Sequence, residues 1–187
     1  MKYLIAYPEE IKQQVRLLVS QNRLAEVLLQ KYSAVHEIST DKALYGYVLD
    51  LKTCFMRNAQ MPSKVLFDND IRALQRALGL HTAISRVQGG KLKAKNEIRI
   101  ASLFKEVPAE FLKMITVHEL AHLKEKDHNK AFYKLCVSME PAYHQIEFDL
   151  RLYLTHVDLL GKLDWGANHP IENCSPQITQ ITQIKHD

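Results

Sequence analysis

Cysteine, glycine and proline are all scarce in this sequence of 187 residues, which has three cysteines, six glycines and six prolines. Cys54, Cys136 and Cys174 lie far apart and form no Cys-x-x-Cys pair, which argues against a disulfide framework and a thiolate zinc cluster. No stretch approaches the ~18 consecutive apolar residues of a membrane span. The apolar N-terminus before Pro8-Glu9-Glu10 is too short and too acidic for a signal peptide. We therefore expect a cytoplasmic protein without a membrane partner.

A strong charge of one sign is also missing, because 25 lysines and arginines stand against 21 acidic residues, for a formal net charge of +4. So small an excess gives no argument for nucleic-acid binding, although it slightly favours an acidic partner over a basic one. Hydrophobic residues make up 47% of the chain, which suffices for a core without staples. The length fits one domain, alone or with a helical extension.

The first third of the chain has the apolar spacing of helices. Helix starts are predicted at Pro8, where proline and two acids suit a first turn, at Asn22 as a cap, and at Ser39-Thr40-Asp41. The third helix is predicted to end at Met61-Pro62, since the residue before proline is pushed out of the helical region. A short fourth helix is predicted over Ile71 to Leu78.

The middle of the chain changes to β-branched residues with partial alternation. Strands are predicted over His81 to Val87 and Glu97 to Ala101, as an antiparallel pair around a turn or irregular loop. Helices then follow from Pro108 to about Lys124, from near Asn129, and from Pro141. The expected fold class is α+β, with a helical N-terminal region over residues 1–62, a metal-binding hydrolase domain over 63–163 and a flexible polar tail over 164–187.

The chemistry-bearing motif is His118-Glu119-Leu120-Ala121-His122. Residues four apart on a helix differ by ~40° in direction and ~6 Å in height, so His118 and His122 can bind one ion. Glu119 is rotated by ~100° from His118, which places its carboxylate beside the ion as a general base for water. The motif therefore predicts a catalytic Zn²⁺ site.

A third ligand is expected from His128, six residues after His122. A continuous helix would carry His128 ~9 Å further along and ~120° away, so the helix must break first. The metzincin pattern breaks its helix at a glycine, where this chain has Glu125; Asp127 could instead cap the next helix and turn the chain back. The alternatives are that His128 is a surface histidine, or that Glu140, His144 or Glu147 completes the site.

The stretch from Val117 to His128, followed by Phe132 and Pro141-Ala142-Tyr143, resembles the YgjP-like group of predicted metal-dependent hydrolases, which is related to the SprT-like and WLM zincin proteases. The resemblance implies a zincin-like fold, with a small antiparallel sheet packed on the active-site helix. It also implies His128 as the third metal ligand and Glu119 as the general base. The implied substrate is a peptide or protein, held along Glu97 to Ala101.

Two further sets of residues complete the expectations. A stabiliser of the developing charge is sought among Tyr133, Tyr143 and His144. Alternate lysines at Lys91, Lys93 and Lys95 are typical of a solvated strand edge; a phosphate-contacting patch is the sharper interpretation. A zinc-dependent peptidase is the first hypothesis, and a zinc-containing scaffold module and a DNA-associated protease of the SprT type are the alternatives.

Overall fold

The structure is a computed structural model that describes residues 1–32, 34–69, 78 and 97–166. The α-helices, in chain order, are α1 (Glu9–Ser20), α2 (Leu24–Lys31), α3 (Asp41–Phe55), α4 (Ala109–Ala121), α5 (Lys130–Met139) and α6 (Tyr143–Leu160). The strands are β1 (Lys64–Asp68) and β2 (Glu97–Ala101), and short 3-10 helices cover Lys2–Leu4 and Ser102–Glu106. No helix in these ranges has the length and hydropathy needed to cross a bilayer.

The chain forms two compact units, and the combination of helices with a sheet confirms the predicted α+β class. The first unit contains Met1–His36, Val107–Phe111 and Ala142–Asp187. The second contains Glu37–Glu106 and Leu112–Pro141, and all of the predicted metal ligands lie in it.

A buried carboxylate organises the first unit. Asp149 of α6 is 1% exposed and accepts hydrogen bonds from Lys31 Nζ, from the Tyr32 hydroxyl at 2.6 Å and from Gln145 Nε2 at 3.0 Å. A buried carboxylate is tolerated only when its oxygens are paired in this way. The network therefore fixes α2 and the residue that follows it against α6.

Of two helix caps predicted in the first third of the chain, one is confirmed and the other is wrong. Thr40 caps α3, and its Oγ1 accepts the Ala43 N–H at 3.2 Å. The predicted cap at Asn22 is wrong, because Asn22 has φ 58° and α2 begins after Arg23. Asparagine is one of the few residues that tolerates the left-handed region, so Asn22 makes the turn between α1 and α2.

The sheet of the second unit corrects the predicted pairing. Over the described ranges it has two strands, and β1 and β2 run parallel with Val65 opposite Ile98 and Phe67 opposite Ile100. The antiparallel sheet predicted from the sequence is therefore wrong. A parallel pair needs a connection of a dozen or more residues, and residues 69–96 supply that length.

Strand β1 was missed because the preceding helix was predicted to be too long. The predicted end of α3 at Pro62 is wrong, since α3 ends at Phe55. Lys52 Nζ donates to the Arg57 carbonyl at 2.9 Å, which satisfies a backbone acceptor just beyond the helix. The alternation of buried Val65 and Phe67 was the available strand signal.

Some predicted features lie outside the described residues. These are most of the helix over Ile71 to Leu78, the strand over His81 to Val87, the lysines Lys91, Lys93 and Lys95, and the tail after residue 166. Trp165 falls within the tail predicted over residues 164–187, yet it is buried, with its ring centroid 5.9 Å from that of Phe111 and 5.2 Å from that of Tyr153.

We expect Asp149→Asn to lower the free energy of unfolding by about 1–3 kcal/mol, because it removes the charge that pairs with a partly buried lysine. Urea denaturation monitored by circular dichroism measures the change. Asp158→Asn is the matched control, since Asp158 pairs with Lys2 at the surface. Equal losses from the two variants would contradict the role given to the buried network.

Tyr47 on α3 gives a pH-dependent prediction for the second unit. Burial, and then the nearby Glu140 carboxylate, raise the pKa of Tyr47 to about 12. Because the raised pKa favours the neutral phenol, this contribution to stability is complete below pH ~10 and is lost as the pH rises through about 12. Tyrosinate absorbance during alkaline titration should lose a late step in Tyr47→Phe. The exposed neighbour Tyr45 provides the control, because Tyr45→Phe should keep that step.

Candidate metal centre

Helix α4 carries the first two predicted ligand positions and is buried on almost every side. Its buried residues include Leu112, Ile115, Val117 and Leu120, and His118 among them is 3% exposed. A helix that is apolar all round lies inside a protein rather than on its surface. His118 is therefore held by packing, and Glu119, next to it, is only partly buried.

Helix α4 ends earlier than the predicted position near Lys124. The α-helix ends at Ala121, and tighter bonds follow, from the Leu123 N–H to Leu120 O and from the Lys124 N–H to Ala121 O, both at 3.0 Å. Such i→i+3 bonds close the last turn of a helix. Among the described residues other than glycine, positive φ occurs at Asn22 alone. The helix therefore breaks at Glu125 without a residue in the left-handed conformation.

The turn back towards α4 is made by Asn129. Its Oδ1 accepts the Phe132 N–H at 2.9 Å and caps α5. The suggested cap at Asp127 is therefore wrong; the Asp127 carbonyl instead accepts the Asn129 N–H at 2.8 Å. His128 stands directly before the cap, so the start of α5 fixes its position.

The three predicted ligand side chains converge on one point. The Nε2 atom of His118 lies 3.2 Å from that of His122 and 3.1 Å from that of His128, and the last two are 3.1 Å apart. A tetrahedral ion bound at about 2.0–2.1 Å separates its ligand nitrogens by about 3.3–3.4 Å, so the triangle fits within about 0.3 Å. Among the described residues, these three histidines form a cluster whose ligand atoms all lie close enough together to bind one metal ion. The cluster is compatible with a divalent ion.

A backbone contact sets the orientation of one ligand. His122 Nδ1 lies 3.0 Å from the Glu125 carbonyl oxygen. A carbonyl only accepts, so Nδ1 carries the proton and Nε2 keeps its lone pair for a cation. Metal-binding histidines are commonly oriented by such a contact. The short turn after α4 thus orients His122 as well as returning the chain to His128.

Exposure increases across the cluster. His118 is buried, His122 is half-buried and His128 is exposed. The exposure of His128 is compatible with a coordination position that solvent can reach, which catalytic zinc sites keep and structural zinc sites do not.

The other residues considered from the sequence lie outside this cluster. Glu140 forms an ion pair with Lys113 at 2.7 Å. Tyr143, His144 and Glu147 belong to the first unit, where Glu147 pairs with Arg151. Tyr133 is the candidate stabiliser in the same unit as the histidines, with its ring centroid 6.3 Å from that of His128.

The ring of Phe132 also belongs to this site, and its contact with the histidines was not predicted from the sequence. Phe132 is fully buried, and its centroid lies 4.6–4.9 Å from the centroids of all three histidines. The available signal was its spacing with Cys136 and Met139, which predicts a buried helix face but not what that face covers.

Two comparisons with known proteins give matches. Residues 67–153 match the family described as YgjP-like, metallopeptidase domain. The chain is 59% identical over 159 residues to UTP pyrophosphatase of Escherichia coli (strain K12), an alignment that covers 85% of this chain and 95% of that protein. No solved structure gives a significant match.

We expect His128→Ala to weaken zinc binding by roughly a hundredfold or more, because it removes one of three nitrogen ligands. Competition with a chromophoric chelator measures the dissociation constant. Glu140→Gln tests the alternative third ligand and should leave that constant within about twofold of wild type, since Glu140 pairs with Lys113. A loss of zinc from Glu140→Gln with retention in His128→Ala would reverse the assignment.

Proposed function

This chain belongs to the YgjP-like metallopeptidase family of metal-dependent hydrolases, and from that membership we propose that it hydrolyses a nucleoside triphosphate, UTP, to the monophosphate and pyrophosphate. The observation that carries the proposal is the 59% identity to a UTP pyrophosphatase, over 95% of that protein's length. So extended an identity supports a shared reaction as well as a shared fold.

In the proposed site His118, His122 and His128 hold one Zn²⁺ ion. The chemistry that a bound ion would supply is polarisation of the reacting phosphate and a lower pKa for a water beside it. Glu119, the residue after the first ligand, accepts a proton from the attacking water. The water oxygen forms a bond to the α-phosphorus while the bond from that phosphorus to the bridging oxygen breaks. The proton then passes to the leaving pyrophosphate.

The donor set suits a highly anionic substrate. Three neutral imidazoles leave the charge of a divalent ion uncompensated, whereas carboxylate ligands would cancel part of it. The exposed Lys124 and Lys126 lie on the turn between the second and third ligands and add positive charge beside the cluster. A triphosphate carries the negative charge that this arrangement attracts.

Peptide hydrolysis is the second candidate. The run His118-Glu119-Leu120-Ala121-His122 and the family description as a metallopeptidase domain favour it. In amide hydrolysis zinc would again activate the attacking water, and the carboxylate would accept its proton and pass it to the leaving amine. The two reactions therefore differ in the substrate bound, and a substrate comparison separates them.

A purely structural zinc site is the less favoured alternative. Structural zinc needs four protein ligands, and the cluster within the described ranges supplies three. The exposure of His128 adds to this argument, because a structural site is closed to solvent.

We expect Glu119→Gln to reduce kcat for UTP hydrolysis by about 10²–10⁴-fold while zinc content stays at the wild-type level, since the change removes the proton acceptor but none of the three ligands. Pyrophosphate release and zinc content are measured on the same zinc-loaded samples. Glu110→Gln is the matched control, because Glu110 is an exposed acid on the same helix, and it should keep the wild-type rate.

The same samples are assayed with a library of unstructured peptides. Pyrophosphate release that depends on Glu119, without peptide cleavage, supports the first candidate. Cleavage of peptides that depends on Glu119, with UTP left intact, would replace it by the second. Full UTP hydrolysis by Glu119→Gln would contradict the assigned proton acceptor.

A further inference from the structure

Four aromatic rings enclose the candidate metal centre in a nearly regular arrangement. The centroids of His118, His122 and His128 are 4.8–4.9 Å apart. The centroid of Phe132 lies 4.9, 4.6 and 4.7 Å from those three. The six distances define a tetrahedron of rings in which Phe132 stands over one face of the histidine triangle.

We propose that Phe132 is a positioning residue that closes one face of the histidine triangle, so that the fourth coordination position opens only on the opposite face. This role rests on the proposed metal site but not on the identity of the substrate. Phe132 donates no ligand atom; it acts through the three imidazoles that its ring contacts.

The distances exclude a ligand on the side of Phe132. Its ring centroid stands about 4 Å from the plane of the three imidazole centroids, as the height of a tetrahedron with these edges requires. An ion bound by the three Nε2 atoms lies about 1 Å out of the plane of those atoms, and a fourth ligand lies about 2 Å from the ion. On the side of Phe132, that ligand would therefore lie about 3 Å from the plane of the nitrogens. Such a ligand would overlap the phenyl ring.

Phe132 is itself held in place by two features. Its side chain is fully buried, and its backbone N–H is fixed by the Asn129 cap at 2.9 Å. Asn129 follows His128 directly, so one capping interaction positions both the third histidine and the ring that covers the triangle. The apolar ring also keeps water off that face, which strengthens the interaction of a cation with its ligands.

The role is tested by Phe132→Leu and, as a less branched replacement, Phe132→Met. Both are expected to raise the zinc dissociation constant at least tenfold. With Co²⁺ in place of zinc, both should also weaken the visible absorption bands, because a second water entering from the opened face raises the coordination number. Phe132→Tyr keeps a ring and should restore both the affinity and the spectrum.

Phe148→Leu is the matched control. Phe148 is also a fully buried phenylalanine, and its ring contacts Tyr7 rather than a histidine. It should lower Tm as much as Phe132→Leu does while leaving the cobalt spectrum and zinc affinity unchanged.

Wild-type zinc affinity and an unchanged cobalt spectrum in both Phe132→Leu and Phe132→Met would overturn the proposal. So would equal losses of zinc affinity in Phe132→Leu and Phe148→Leu. A wild-type chain that binds neither zinc nor cobalt would overturn the metal site and this role with it. A wild-type chain that binds zinc without hydrolysing UTP would contradict the proposed function and leave the spectroscopic test of Phe132 intact.

Discussion

The short approach of three imidazole nitrogens is the constraint on which the rest of the site depends. At 3.1–3.2 Å three Nε2 atoms that all kept their lone pairs would repel one another, and a cation placed among them would replace that repulsion with bonding. The chain must therefore hold the histidines in place through other contacts. Burial holds His118, the Glu125 carbonyl orients His122, and the Asn129 cap fixes His128.

The length of helix α4 follows from this constraint. Had the helix continued past Ala121, the axial rise and the rotation per residue would have carried residue 128 away from the first two ligands. The tightened turn after Ala121 ends the helix without glycine and supplies the backbone oxygen that orients His122. A single segment of eight residues, 122–129, thus orients His122, carries His128 and leads into the helix that presents Phe132.

The sequence predicted the convergence of the three histidines better than it predicted the fold around them. The spacing of His118, Glu119 and His122 follows from helical geometry alone, and the geometry of the structure brings His128 to the same point. The cap was misassigned to Asp127 because aspartate and asparagine are nearly equal as caps, and only the hydrogen bond to Phe132 separates them. The contacts of Phe132 with three rings are tertiary and leave no local pattern.

The sheet shows a different limit of sequence reasoning. Alternation predicted strand β2 correctly, but pairing depends on which strand lies beside it, and alternation carries no information on direction. Strand β1 was concealed by an α3 that was predicted to be too long, so the pairing of β1 with β2 was missed. Lys52 donates to the Arg57 carbonyl just beyond the end of α3, and such a side-chain contact has no local sequence signature.

The UTP and peptide hypotheses share one premise, that three histidines bind a divalent ion and leave it one open position. The neutral donor set and the exposure of His128 support that premise for either substrate. X-ray absorption spectroscopy of the zinc-loaded protein tests it most directly. The account predicts one zinc per chain with three imidazole nitrogens at about 2.0–2.1 Å and one oxygen. A first shell that contains sulfur, or fewer than three imidazoles, would contradict it.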